Sequence, residues 1–242
     1  MKIAVISDLH LGNGTRSDTF GHDDATFLRF LDHLEDSFER IVLLGDVYET
    51  LTIRGAAQVA ELERCKRAHS KVVERFERPA YRYLHGNHDL VAGHVDGAPD
   101  ALHLNVDGQR IVFMHGHQFD WVVNQARAVS EWCAWFAGWL ARLGLKSVLN
   151  AAHAVERLIV GVDNTTASDP TTLAPKDRFQ RAAMSFASAH GTDIVVTGHT
   201  HMGIVAPHGD RLFLNSGACE GGNFSFLSMD TRAQRYTVEH AW

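Results

Sequence analysis

Short apolar runs, each closed by a glycine or a carboxylate, alternate with amphipathic stretches along the first third of the chain. Lys2–Ser7 is a β-branched run ending at Asp8, and Arg40–Leu44 is a second run stopped by Gly45; both predict buried strands. Ala80–Leu84 predicts a third strand, stopped by His85-Gly86. Between them, Ala25–Glu35 spaces Phe27, Leu28, Phe30, Leu31 and Leu34 along one helical face. The charged, amphipathic stretch Gly55–Phe76 predicts one surface helix. Strand–helix–strand–helix–strand order argues for α/β layering with partly parallel strands.

Further on, Leu102–Val106 and Arg110–Met114 flank Asp107-Gly108, the signature of a tight hairpin. Asp177–His190 predicts a helix and Asp193–Thr197 another apolar strand. Ile204–Ala206, Leu212–Leu214, Ser225–Ser228 and Arg235–Glu239 are short alternating segments that predict an antiparallel sheet. One stretch interrupts this pattern. From Trp121 to Val162 the chain carries four of its five tryptophans, with Trp132, Trp135, Phe136, Trp139, Leu140 and Leu143 along one helical stripe. It predicts a helical insertion at residues 121–162, either a packed layer, a lid for an apolar substrate tail, or a contact surface. With no repeat and no linker, residues 1–242 are expected to form a single domain.

Composition narrows the function classes. Hydrophobic residues make up 45% and charged residues 21%, ordinary for a globular chain. A net charge of −6 lacks the basic excess of a protein that lives on a nucleic-acid backbone, so no nucleic-acid partner is expected. Three cysteines without a CxxC pair suit a reducing compartment. The first residues are too short and too soon charged for a secretory leader, and no run reaches the ~20 apolar residues of a membrane span. A cytoplasmic location is expected, with peripheral membrane contact left open. The outlying figure is histidine, at 16 of 242 residues.

Those histidines are not scattered. The first strand ends in Asp8-Leu9-His10, the second in Gly45-Asp46, and the third in Gly86-Asn87-His88-Asp89. The hairpin strand ends in His115-Gly116-His117 and the later strand in Gly198-His199-Thr200-His201. Carboxyl ends of strands in α/β sheets meet at one edge, where ligands bind. A single such cluster is weak evidence; five, each with a glycine nearby, are strong. The oxygens of Asp8, Asp46 and Asn87 with the imidazoles of His10, His115, His199 and His201 form a mixed O/N donor set. Such a set suits Mn, Fe, Zn, Co or Ni, and it is too large for one tetrahedral ion. Two ions sharing a carboxylate fit it, an arrangement that clamps attacking and leaving oxygens in phosphoryl transfer.

In their order, DLHLG, GDVYE, GNHD, HGH and GHTH resemble the signature blocks of the calcineurin-like metallophosphoesterase superfamily. The resemblance implies a four-layer α-β-β-α sandwich of two mixed sheets. It further implies two divalent transition-metal ions, manganese first among them. Asp8, His10 and His201 would hold one ion, Asn87, His115 and His199 the other, and Asp46 would bridge. His88 would assist the leaving group with Glu49 as its acidic partner, and His117 and Asn87 would contact the phosphate. The implied activity is hydrolysis of a phosphodiester, diphosphate or phosphomonoester, on a lipid-linked or nucleotide-type small molecule. The long segment after HGHQFD and the closing NSG look similar to the UDP-2,3-diacylglucosamine hydrolase branch, although His88 stands where its lipid A enzymes carry Arg. Two other readings share the fold: a nuclease, and a non-catalytic scaffold that uses the Trp-rich segment for protein contacts. A serine/threonine phosphatase is disfavoured, because GDVYET lacks the arginine of the GDxxDRG block.

Overall fold

The computed structural model describes residues 1–15, 18–120 and 178–240. Two mixed five-stranded sheets form its centre. The first takes β1 (Lys2–Ile6), β2 (Arg40–Leu44), β3 (Tyr81–Leu84), β9 (Phe226–Asp230) and β10 (Arg235–Glu239), in the order β10-β9-β1-β2-β3. The second takes β4 (Ala101–Val106), β5 (Gln109–Met114), β6 (Ile194–Thr197), β7 (Gly203–His208) and β8 (Arg211–Ser216), in the order β4-β5-β6-β8-β7. Helices α1 (Asp24–Ser37), α2 (Ala57–Ala68), α3 (Ser70–Phe76) and α4 (Leu90–Val95) precede the second sheet in sequence, and α5 (Arg178–His190) leads into β6.

Period-two alternation sorts the side chains into three apolar layers. Ala4, Ile6, Ile41 and Leu43 of the first sheet face Phe27, Phe30, Leu31 and Leu34 of α1. Their neighbours Ile3, Val5, Val42 and Leu44 point the other way, against Ile111, Phe113, Ile194, Val196 and Leu214 of the second sheet. The far face of that sheet, Val112, Val195 and Phe213, packs on Phe179, Ala183 and Ala187 of α5. Helix, sheet, sheet and helix are thus stacked in four layers, and strands buried on both faces explain why their sequences read as unbroken apolar runs. The hairpin between β4 and β5 turns through Asp107 (φ 50°) and Gly108 (φ 80°), both left-handed as its tight turn requires.

Two expectations need correction. The last four strands do not make one antiparallel sheet. β7 pairs antiparallel with β8, which itself runs parallel to β6, while β9 and β10 close the edge of the first sheet against β1. The alternating pattern of these segments reports one-sided burial and is silent on which sheet provides it. The expected helix Gly55–Phe76 is broken at His69 (φ −116°, ψ 37°) into α2 and α3. There the imidazole turns inward, Nδ1 lying 2.7 Å from Asp24 and Nε2 3.3 Å from Asp18. A short helix, α4, also follows the GNHD block. The Trp-rich insertion expected at residues 121–162 lies outside the described residues. Among the described residues, no helix is long and apolar enough to cross a membrane.

His69 gives a pH signature. Burial opposes its charge, but Asp18 and Asp24 override burial and raise its pKa above the ordinary 6.5. Protonation therefore stabilises the fold below about pH 6.5, and that contribution fades as pH rises through the elevated folded value. Urea unfolding should show a larger stability gap between wild type and His69→Ala at pH 5.5 than at pH 9. An equal gap at both would contradict this ion-pair role.

Candidate metal centre

Five parallel strands release their chains at a common edge. β1 leads to Asp8 and His10, β2 to Asp46, β3 to Asn87 and His88, β5 to His115 and His117, and β6 to His199 and His201. Pairing continues past the strand ends: the Asp8 amide donates to Gly45 (3.1 Å), His10 to Asp46 (3.0 Å) and Gly198 to His115 (3.0 Å). Each block is thus held to its neighbour by backbone as well as by side chain. Asp8, His10, Asp46, His199 and His201 all have φ between 49° and 67°, five of the seven described non-glycine residues in that region. Such conformations cost of order 1–3 kcal/mol each and persist only where the surroundings enforce them. Glycine supplies the clearance. A Cβ on Gly45 would come within 2.6 Å of the His115 ring, and one on Gly86 would overlap the Asp46 carboxylate.

Among the described residues, Asp8, His10 and His201 form one group whose ligand atoms all lie within 4.8 Å of one another, and Asp46, His115 and His199 form another. His10 and Asp46 also group with His88. Asp8 is fully buried and Asp46 nearly so, and the His115 Nε2 lies 3.1 Å from Asp46 and 3.9 Å from Asp8. The centre has unspent bonding capacity: Asp8 Oδ1, His10 Nε2, Asn87 Oδ1 and His115 Nε2 are buried without a hydrogen-bond partner. Buried polar atoms are almost always satisfied, so such atoms gathered at one place mark a ligand site. Their chemistry, carboxylate, amide oxygen and imidazole nitrogen, fits a divalent transition metal. Burial disfavours charge on His115, yet Asp46 and Asp8 lift its pKa to about 9. Burial likewise disfavours the Asp8 carboxylate, but His201 and His115 lower its pKa to about 2. The pocket is therefore organised for opposite charges in contact.

The outer atoms are committed elsewhere. His115 Nδ1 donates to the Leu44 carbonyl (2.8 Å), which fixes Nε2 as the free nitrogen. Glu49 reaches two imidazoles, at 2.7 Å from His88 Nδ1 and 3.2 Å from His10 Nδ1. The His88 amide donates to Asp46 (2.8 Å), tying the third block to the second. His117 sits on the short 3₁₀ turn His117–Phe119, its ring 5.7 Å from that of His115. Burial and then His115 lower its pKa to about 3, and its buried Nδ1 meets no partner.

Several supporting residues escaped the sequence reading. Asp89 accepts from the amides of Asp46, Val47, Tyr48 and Gly86 and from the Tyr83 hydroxyl. Asn215 and Ser216 lie at the end of β8. Asn215 donates to the Gly198 carbonyl (2.6 Å), and the Ser216 hydroxyl pairs with that of Ser7, which in turn bonds Asp8. Asp120 lies 3.0 Å from His199 Nε2 and Glu220 3.1 Å from His201 Nδ1. Asp120 closes the HGHQFD segment, a signal that could have been noticed; nothing around Glu220 announces it.

With fold and centre in view, the chain is identified by its family. Residues 1–138 match the calcineurin-like phosphoesterase superfamily domain, and the protein belongs to that superfamily. No curated protein sequence matches it. Among solved structures it is similar to a conserved uncharacterized protein, a predicted phosphoesterase, from Streptococcus pneumoniae (16% identity, 99% of this chain and 97% of that one, TM-score 0.45). A Vps29 from Entamoeba histolytica is similar at 16% identity over 98% and 90% of the chains, with a TM-score of 0.49. A structure described as a novel archaeal phosphodiesterase is 16% identical over the full length of both, with a TM-score of 0.45. None of these likenesses assigns an activity.

Asp89 joins the second and third blocks alongside the His88–Asp46 bond, accepting from four backbone amides. Burial and then the nearby Asp46 raise its pKa, so part of its bonding energy offsets its own desolvation. Asp89→Ala should still destabilise the fold by about 2–4 kcal/mol in urea unfolding, because buried amides lose their acceptor. A loss below about 1 kcal/mol would show that the loops hold themselves.

Proposed function

We propose that the protein is a dinuclear-metal phosphoesterase, and the carrying observation is the pair of ligand groups Asp8–His10–His201 and Asp46–His115–His199, in which the buried Asp8 Oδ1, His10 Nε2 and His115 Nε2 make no hydrogen bond. In this reading Asp8, His10 and His201 hold one divalent ion and Asn87, His115 and His199 the other, with Asp46 between them. Manganese is the first expectation, with iron, zinc, cobalt or nickel as alternatives. When bound, the pair supplies a hydrolytic water of lowered pKa and neutralises charge on the phosphoryl oxygens.

The chain's own residues do the rest. Glu49 accepts from His88 Nδ1 and so fixes the ring, and Nε2 would then donate a proton to the leaving oxygen. Burial opposes charge on Glu49, but His88 and His10 lower its pKa overall, so it stays an acceptor at neutral pH. One carboxylate thus orients both a ligand and the acid, which ties the position of His88 to that of the metal site. Asn87 and His117 would contact the phosphate from the third and fourth blocks.

The substrate is a phosphodiester, diphosphate or phosphomonoester on a small molecule, for which a net charge of −6 is no obstacle and a nucleic-acid strand is a poor partner. The aromatic stripe within residues 121–162 would accept an apolar tail, in keeping with the sequence likeness to the UDP-2,3-diacylglucosamine hydrolase branch. One domain in a reducing cytoplasm suits the described cysteines, Cys65 and Cys219, both free and buried.

Metal analysis and turnover of bis-p-nitrophenyl phosphate test the proposal together. Wild type should bind two ions and hydrolyse the ester. His88→Ala should keep its ions and lose about 10²–10⁴-fold in rate, whereas Asp46→Ala should lose metal. Full activity in His88→Ala would remove its role, and a metal-replete wild type inert to every activated ester would favour the scaffold reading.

A further inference from the structure

Each imidazole of the centre has one nitrogen engaged from behind, and the groups that engage them differ in charge. His10 Nδ1 meets the Glu49 carboxylate at 3.2 Å, and His201 Nδ1 lies 3.1 Å from Glu220. His115 Nδ1 meets only the neutral Leu44 carbonyl, and His199 Nε2 meets Asp120 at 3.0 Å. The contacts leave Nε2 of His10, His115 and His201, and Nδ1 of His199, to face inward. Setting aside Asp46, the Asp8 side of the centre carries three carboxylates, Asp8, Glu49 and Glu220. Directly behind its ligand rings the Asn87 side carries one carboxylate, Asp120, with a neutral amide in place of a ligand acid; the buried Asp89, though near His115, accepts from the Asp46 and Gly86 amides and engages no ligand ring.

We infer that Glu220 is a positioning residue for His201 and that, with Glu49, it makes the Asp8–His10–His201 site the tighter of two unequal ion sites. This rests on the dinuclear reading above. Carboxylates behind ligand imidazoles raise ligand basicity and fix ring orientation, and their loss weakens metal binding by about 10–100-fold. The extra negative charge also favours a dication over short distances. Glu220 is well placed for such a role, because its loop is pinned on both sides. The Cys219 amide donates to Ser7, the residue before Asp8, at 3.0 Å; the Gly221 amide donates to Phe20 at 2.8 Å, and Asn223 donates back to the Glu220 carbonyl at 2.9 Å. A side chain that served only this loop would have no reason to lie against a ligand ring.

Calorimetric titration of the metal-free full-length protein with Mn²⁺ provides the test, with circular dichroism as the check on folding. Wild type should bind two ions in separable steps. Glu220→Ala should weaken the tight step by about 10–100-fold and leave the weak step within a few-fold. Glu220→Gln, which keeps the shape and an acceptor oxygen, should weaken the same step by less and keeps the test open should the alanine variant fail to fold. Asp120→Asn should weaken the weak step instead. A Glu220 variant with an unchanged tight step, or with both steps weakened alike, overturns the inference while leaving two-ion binding intact. A wild type that binds fewer than two ions overturns the dinuclear reading and this inference with it.

Discussion

Buried carboxylates and imidazoles aimed at one another are tolerable only if something satisfies them, and the whole edge of this sandwich is arranged around that requirement. Asp8 and His115 are sealed from solvent and Asp46 almost so, and Asp8 Oδ1 and His115 Nε2 make no hydrogen bond. Taking such charges out of water costs several kcal/mol per ion, which their mutual contacts must offset. Protons or cations can relieve it, and the raised pKa of His115 shows the pull towards positive charge. Positive φ at five of the ligand candidates adds strain that the rest of the fold must offset.

What offsets it is the three-layer core. Alternate residues of β1 and β2 serve the helical layer and the inter-sheet layer at once, so a register shift in either strand would put misfitting side chains into both layers. That rigidity extends past the strand ends through backbone bonds between the Asp8 and Gly45 segments and through Asp89, which gathers the amides of two loops. The ligands are therefore held by a scaffold that extends well beyond them.

Much of this was legible in the sequence because strand ends and ligands share one cause. A buried parallel strand shows as an apolar run, and the residues just past it are where a site can form, so DLH, GD, GNHD, HGH and GHTH mark fold and chemistry together. The pairing of the late strands was not legible, since alternation around Leu212–Leu214 and Arg235–Glu239 is the same whichever sheet they join. The break at His69 depends on Asp18 and Asp24, which lie far back in sequence. Glu220 and Asn215 act from loops and strand ends with no periodicity, and only three-dimensional contact reveals them.

The central claim is that Asp46 stands between two cations. Anomalous diffraction at the manganese edge from crystals grown with Mn²⁺ tests it directly. The account predicts two peaks about 3.5–4 Å apart on either side of the Asp46 carboxylate, one beside Asp8, His10 and His201 and one beside Asn87, His115 and His199. A single peak, or density remote from Asp46, would contradict it.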